Sequence, residues 1–125
     1  MTPSDLVRQF HTQCDLPVAS APGLPSEDRR ELRRRLLQEE LNEYLEAEEE
    51  NDIVAIADAL GDLVYVALGC CLEYGIPFDR VFAEIHRSNM TKLGPDGKPI
   101  CRADGKIMKP KHFEPPQLEK ILTNE

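Results

Sequence analysis

Two aspartates interrupt an otherwise uncharged stretch of the chain. Asp58 and Asp62 are the only charged residues from Ile53 to Leu72, and their spacing places both on one face of a helix. A buried carboxylate costs several kcal/mol unless a partner compensates it, so the pair predicts a cation. Three further carboxylates precede it at helical spacing: Glu39, Glu40 and Glu43. Carboxylate oxygens suit hard cations, so the five residues predict a site for Mg²⁺, with Mn²⁺ as a substitute.

The acidic residues also have an ordinary interpretation, as the solvated face of a helix. A structural aspartate inside the apolar helix would need a lysine or arginine partner, and residues 38–62 contain ten acidic residues and no basic one. Zinc is disfavoured because the three histidines are scattered and no cluster of cysteine and histidine occurs. The five carboxylates together therefore favour a divalent metal over a solvated face.

Charge is distributed unevenly along the 125 residues. The formal net charge of −8 argues against nonspecific binding to nucleic acid or to an anionic membrane. Residues 87–111, however, contain seven basic residues and only two acidic ones. The chain thus predicts one region that binds metal and another that binds phosphates.

Capping residues and hydrophobic periodicity predict four helices that would position these groups. They cover about 2–14, 26–50, 52–74 and 77–91, with Thr2 and Ser26 as N-caps and Gly75 at a C-terminus. The core positions of the second helix are expected to be Leu32, Leu36, Leu37, Leu41 and Leu45. One face of this helix contains Leu32, Leu36, Glu40, Glu43 and Ala47. The glutamates on this face should therefore point inward or toward a partner.

The remaining residues, about 92–125, are rich in proline, glycine and lysine and predict turns followed by an irregular basic tail. We expect a single all-α domain over 1–125, a four-helix-bundle-like architecture with this C-terminal extension. The third helix is apolar around most of its circumference, which predicts a homodimer or a dimer of dimers. Its two aspartates argue against a membrane span, and the absence of a secretory signal and of a disulfide pattern favours the cytoplasm.

An ordered set of motifs resembles a known superfamily. The set consists of Glu39-Glu40-x-x-Glu43, the helix from Ala57 to Val66 with both aspartates, Gly75-Ile76-Pro77, His86-Arg87-Ser88-Asn89-Met90-x-Lys92, and Gly105-Lys106-x-x-Lys109-Pro110. It is similar to the all-α nucleoside triphosphate pyrophosphatases, which include MazG-type and phosphoribosyl-ATP pyrophosphohydrolase-like proteins. The resemblance runs from about residue 10 into the proline-rich tail.

The resemblance implies a helical, usually oligomeric enzyme that cleaves a nucleotide between its α- and β-phosphates with Mg²⁺. It implies metal binding or water activation by Glu39, Glu40, Glu43 and Asp62. It also implies substrate contacts by Asn89 and Lys92. From their charge, Lys106 and Lys109 are weaker candidates for residues that screen the phosphates. Family members commonly have Glu-x-x-Asp in the second half of the acidic motif, whereas the residue three before Asp62 is Ala59 and the nearest acid is Asp58.

The expected function is therefore Mg²⁺-dependent hydrolysis of a ribo- or deoxynucleoside triphosphate to the monophosphate and pyrophosphate, in a nucleotide-pool role. No Walker-type glycine loop occurs, which argues against a P-loop ATPase. Two alternatives stay open: hydrolysis of phosphoribosyl-ATP, and a non-catalytic helical module that binds Mg²⁺ and nucleotide. A purely structural helix bundle would bind no metal.

Overall fold

Five α-helices make up the regular structure of residues 1–123, the part of the chain that the computed structural model describes. They fall into two compact units, Met1–Ile76 and Pro77–Glu125. Within residues 1–123 no extended strand forms, and the only β pairing is two isolated antiparallel bridges. The predicted all-α fold class is confirmed.

Three helices form the first unit: α1 (Pro3–Gln13), α2 (Glu27–Glu49) and α3 (Ile53–Tyr74). Thr2 and Asp5 form a reciprocal capping box at the start of α1, and the Ser26 hydroxyl accepts from the Arg29 amide at the start of α2. Gly75 ends α3 in the left-handed conformation (φ 68°). All three predicted terminal residues are confirmed.

A short turn joins α2 to α3 and makes them an antiparallel helical hairpin. Asn51 adopts a positive φ of 55° in this turn, a conformation that asparagine tolerates better than most residues. Asp52 then caps α3 by accepting from the amides of Val54 and Ala55. The hairpin sets the second half of α2 beside the first half of α3, which are the segments that contain the acidic residues.

A buried ion pair joins α2 to the C-terminal half of α3. The Glu73 side chain is fully buried and accepts two hydrogen bonds from Arg29, each of 2.9 Å. Arg33, itself buried, lies 3.2 Å from the same carboxylate and donates to the Val66 carbonyl at 2.7 Å. Gly69 is required beside it, since an added Cβ would collide with the Arg33 guanidinium. This network was not predicted.

The burial of α2 and α3 differs from the predicted one. Leu41 and Leu45, which we expected in the core of α2, are exposed. On α3 the buried residues are Ala59, Leu68, Gly69, Leu72 and Glu73, whereas its outward side exposes several large apolar side chains. The physical reason is that only α1 and α2 pack on α3 within this unit. α3 is long and apolar enough to cross a membrane, but core helices of globular proteins meet the same criteria of length and composition.

The second unit contains α4 (Phe78–Met90), two tight turns and α5 (Leu118–Thr123). The two turns have the same hydrogen-bond pattern, in which an aspartate side chain (Asp96 or Asp104) accepts a hydrogen bond from the backbone amide of the lysine two residues later. After the turns, the chain returns to the end of α4, where the Glu114 carbonyl accepts from the buried Ser88 hydroxyl at 2.7 Å. The turns and α4 agree with prediction, and α5 is an additional helix in the segment that we expected to be irregular.

Candidate metal centre

Glu40 and Glu43 of α2 and Asp62 of α3 form the closest group of carboxylates in the first unit. One oxygen from each residue lies within 4.8 Å of the other two. Glu40 and Asp62 are half-buried, and Glu43 is exposed. Three carboxylate oxygens that converge from two helices are a donor set suited to a hard divalent cation. We refer to these three residues as the acidic triad.

The environment of Glu40 shows that the triad is electrostatically unsatisfied. The Oε2 atom of Glu40 is buried and has no hydrogen-bond partner among residues 1–123. Burial raises the pKa of Glu40 above its usual value, and the charge of Glu43, a hydrogen bond with the Glu43 side chain and the charge of Asp62 raise that pKa further. A buried acceptor without a donor, next to like charges, is unfavourable in the protein alone. A bound cation would supply the missing partner, so the residues present fit a divalent metal.

No lysine or arginine neutralises the triad. In the part of the chain that the structure describes, none of the ion pairs involves Glu40, Glu43 or Asp62. The arginines of α2 lie toward its start, where Glu27 and Glu73 pair with them. The interpretation of Asp62 as one half of a structural ion pair is therefore not supported by the geometry.

Asp58 and Glu39 lie outside the triad. Asp58 is exposed, contrary to our expectation of two buried aspartates, because it faces an open cavity beside α2. It lines a cavity of about 170 Å³ together with Glu43, Glu46 and Glu50. Glu39 is exposed beside Glu40, and its charge contributes to the raised pKa of Glu40. Neither residue shares the short distances of the triad, and their roles stay predictions.

Ala59 occupies the position where the resembled family commonly has an acid. It is buried between α2 and α3 and lines the same cavity as Asp58. Glu46 and Glu50 also line this cavity and were not among our candidates. Their spacing of three and seven residues from Glu43 was visible in the sequence, so helical periodicity could have identified them.

The predicted substrate-binding residues all lie in the second unit. Asn89 is in the last turn of α4 and is exposed, and Lys92 follows the helix. Lys106 belongs to the second tight turn, and its amide donates to Asp104. Lys109 lies beyond that turn, 5.1 Å from the ring centroid of Phe113, and Lys92 lies 6.0 Å from the same centroid. The structure thus brings two of the four residues to a shared aromatic ring, which we did not predict.

Comparison with known proteins gives one family. The model of the phosphoribosyl-ATP pyrophosphohydrolase family matches residues 7–89 of this chain. No curated protein matches this chain. The matched range contains all five predicted acidic residues and ends at Asn89, so it stops before the three lysines. The expectation that the resemblance extends into the tail is therefore not met by this match.

The matched range covers well over half of the 125 residues and includes the helices that hold the triad. Enzymes of this family hydrolyse a phosphoanhydride bond of a nucleotide and generally depend on a divalent metal. An acidic cluster suited to a divalent cation lies within the matched range. The chain belongs to the phosphoribosyl-ATP pyrophosphohydrolase family, within the MazG-like all-α pyrophosphatase superfamily.

Proposed function

We propose that this protein hydrolyses a nucleoside or deoxynucleoside triphosphate between the α- and β-phosphates and releases the monophosphate and pyrophosphate. The observation that carries the proposal is the acidic triad with the unpartnered Oε2 atom of Glu40. Membership of a pyrophosphohydrolase family supports the reaction type. We assign the enzyme to the nucleotide pool of the cytoplasm.

The triad would hold Mg²⁺, for which Mn²⁺ could substitute. When bound, such an ion lowers the pKa of a water molecule, polarises a phosphoryl oxygen and offsets charge on the leaving pyrophosphate. Glu40, Glu43 and Asp62, whose carboxylate oxygens lie within 4.8 Å of one another, would supply three oxygen ligands to one ion. Asp58, which lines the 170 Å³ cavity together with Glu43, would serve a second ion or its water ligands.

The reaction also needs a proton acceptor for the attacking water. Glu39 is the candidate, because it is adjacent to Glu40 and remains exposed at the surface of α2. A carboxylate that does not bind the ion tightly keeps its basicity and can accept the proton. Asn89, Lys92, Lys106 and Lys109 would contact the nucleotide and its phosphates, the lysines by charge-assisted hydrogen bonds.

Two alternatives are supported by specific observations. The description of the matched family favours phosphoribosyl-ATP as the substrate. The replacement of the family's acid by Ala59, which removes one potential ligand, favours a module that binds Mg²⁺ and nucleotide without turnover. We rank the nucleoside triphosphates first because the variant acidic motif and the basic tail depart from a phosphoribosyl-ATP enzyme.

A pyrophosphate-release assay separates these possibilities. The panel would contain ribo- and deoxynucleoside triphosphates and phosphoribosyl-ATP, each with Mg²⁺ and with a chelator. Metal-dependent release of monophosphate and pyrophosphate from a triphosphate would support the proposal, and selective turnover of phosphoribosyl-ATP would support the first alternative. Tight nucleotide binding with no turnover of any compound would support the binding module and refute the proposed reaction.

We also propose that the active form is a homodimer or a dimer of dimers built on the outward side of α3. Leu60 and Val64 are 44% and 53% exposed there, and Leu6 and Phe10 of α1 extend the apolar surface. A groove of about 420 Å³ with almost entirely apolar walls lies between these two helices. An apolar surface of this extent in a soluble protein marks an interface, and a second copy offers a matching surface under twofold symmetry.

Sedimentation of the wild-type chain and of a Val64→Glu variant tests the assembly. The wild type should sediment as an oligomer at micromolar concentration, and the charged variant should dissociate to monomers. Glu46→Gln, a change on an exposed acidic position of α2, is the control and should leave the oligomer intact. A monomeric wild type would contradict the proposed assembly.

A further inference from the structure

The side chain of Phe113 brings two lysines together in the second unit. The Lys92 Nζ atom lies 6.0 Å from the centroid of its ring, and the Lys109 Nζ atom lies 5.1 Å from it. Both distances are in the range of cation–π contacts. The two lysines are seventeen residues apart in the chain, on opposite sides of the two tight turns. Phe113 is thus the common contact of two cations that the sequence separates.

Phe113 itself is held in place by its neighbours. Its amide donates to the Pro110 carbonyl at 3.1 Å, and the ring of His112 lies 2.7 Å from the Leu93 carbonyl. On the other side, the Glu114 amide donates to the Thr91 hydroxyl at 2.9 Å, and the Glu114 carbonyl accepts from Ser88. These bonds fix the proline-rich segment against the end of α4. The backbone on both sides of the half-buried Phe113 is therefore held in place.

The charges of the two lysines are not neutralised by protein groups. Within residues 1–123 no carboxylate lies within ion-pair distance of Lys92 or Lys109, whereas Arg87 and Arg102 each pair with an acid. The two distances to the ring place the ammonium nitrogens no more than about 11 Å apart, close to the ~8–10 Å over which salt screens charges. Two such cations repel each other, and an anion that contacts both would be attracted by both.

We propose that Phe113 is a positioning residue that holds Lys92 and Lys109 as one binding site for a chain of two or three phosphates. The inference deepens the proposed function, on which it rests, because pyrophosphate and the triphosphate of a nucleotide are its product and substrate. A diphosphate can reach two ammonium groups at any separation up to this limit, and it has more negative oxygens than a single phosphate. We therefore expect the site to prefer a polyphosphate to a single phosphate. Phe113 touches the lysines and not the ligand.

The test measures pyrophosphate binding by calorimetry on the full chain, independently of turnover. Phe113→Leu keeps an apolar side chain and removes the aromatic face, and the loss of two exposed cation–π contacts should weaken pyrophosphate binding about fivefold. Phe113→Tyr keeps the aromatic face and should bind as the wild type does. Lys111→Gln is the matched control for loss of one nearby charge, because Lys111 is exposed and makes no contact with the ring. It should change affinity less than twofold, and monophosphate binding should be equally weak in all variants.

Steady-state kinetics add a second measurement. In the enzyme, Phe113→Leu should raise KM for the triphosphate severalfold and leave kcat nearly unchanged, since the acidic triad is intact. Unchanged pyrophosphate affinity in Phe113→Leu, with normal turnover, would overturn this inference and leave the proposed function standing. An equal loss in Phe113→Leu and Phe113→Tyr would also overturn it, since a purely structural role predicts that pattern. Failure of every nucleotide to turn over would refute the proposed function, while pyrophosphate binding would still decide the role of Phe113.

Discussion

Removal of the charge of Glu40 should have opposite effects on stability without and with metal. In the protein alone, Glu40 has a buried unpartnered oxygen and lies within 4.8 Å of two other carboxylates. Two unit charges at that distance repel by about 0.9 kcal/mol in water and about 3.5 kcal/mol at an effective dielectric constant of 20. The triad is only half-buried and Glu40 has a raised pKa, so the lower value is the better guide. Because Glu40 has two such neighbours, Glu40→Gln should stabilise the metal-free protein by about 1–2 kcal/mol, or roughly 4–8 °C in Tm.

Magnesium should reverse this order. A ligand at 100 times its Kd stabilises the native state by about 2.7 kcal/mol, so the wild type should gain this amount and overtake Glu40→Gln, which lacks one ligand. Thermal denaturation with a chelator and across an Mg²⁺ titration measures both effects. Glu31→Gln, an exposed change on the same helix, should stay within about 0.5 kcal/mol of the wild type in both conditions. A Glu40→Gln protein that is folded but less stable than the wild type in chelator, or equally stabilised by Mg²⁺, would refute the reasoning.

Three further predictions address other groups. Asp62→Asn should reduce turnover at least a hundredfold, as expected for loss of a metal ligand. Asp58→Asn, which lies outside the triad, should reduce turnover less than tenfold at saturating Mg²⁺. Equal losses of kcat in the two variants would contradict the placement of Asp58 outside the triad. Glu73→Gln leaves buried arginine charge uncompensated and should lower the free energy of unfolding by about 3 kcal/mol in urea titrations, while the exposed Glu27→Gln should barely shift the midpoint. The pKa of Glu84 is lowered to about 2, mainly by hydrogen bonds from Arg87. The contribution of Glu84 to stability is therefore complete above about pH 4.5 and is lost as the pH falls through 2. Urea titrations of the wild type and of Glu84→Gln should differ at pH 6 and converge near pH 2.

The helices could be predicted from the sequence because their ends depend on local chemistry. Thr2 and Ser26 have side chains that accept from amides three residues later, and Gly75 adopts a positive φ. Such signals need only a few neighbouring residues. Glu40 and Glu43 on one helix face, opposite Asp62, also followed from spacing. The members of the triad were therefore predictable, although which of five acids would form it was not.

Contacts between distant segments were not predictable from periodicity. Glu73 pairs with arginines about forty residues earlier, and nothing in the local sequence of either helix indicates this partner. The exposure of Asp58 depends on which faces of α3 are covered, which a single helix does not reveal. Phe113 gained its two lysine neighbours because the chain turns back twice between them. In each case tertiary packing decided the outcome.

The buried ion pair at Glu73 also bears on how the α2–α3 hairpin opens. Asp62 and Glu73 are about 16 Å apart along α3, so the triad lies near the middle of the hairpin and the ion pair at the end away from the turn. Amide hydrogens near Glu73 should exchange only on global unfolding, since opening there would expose buried charge. Amides around Asp62, on a helix segment with few buried side chains, should exchange through local opening at lower free energy. A cation bound by both helices would hold them together there, so slowed exchange at residues 58–64 would report metal binding without any substrate.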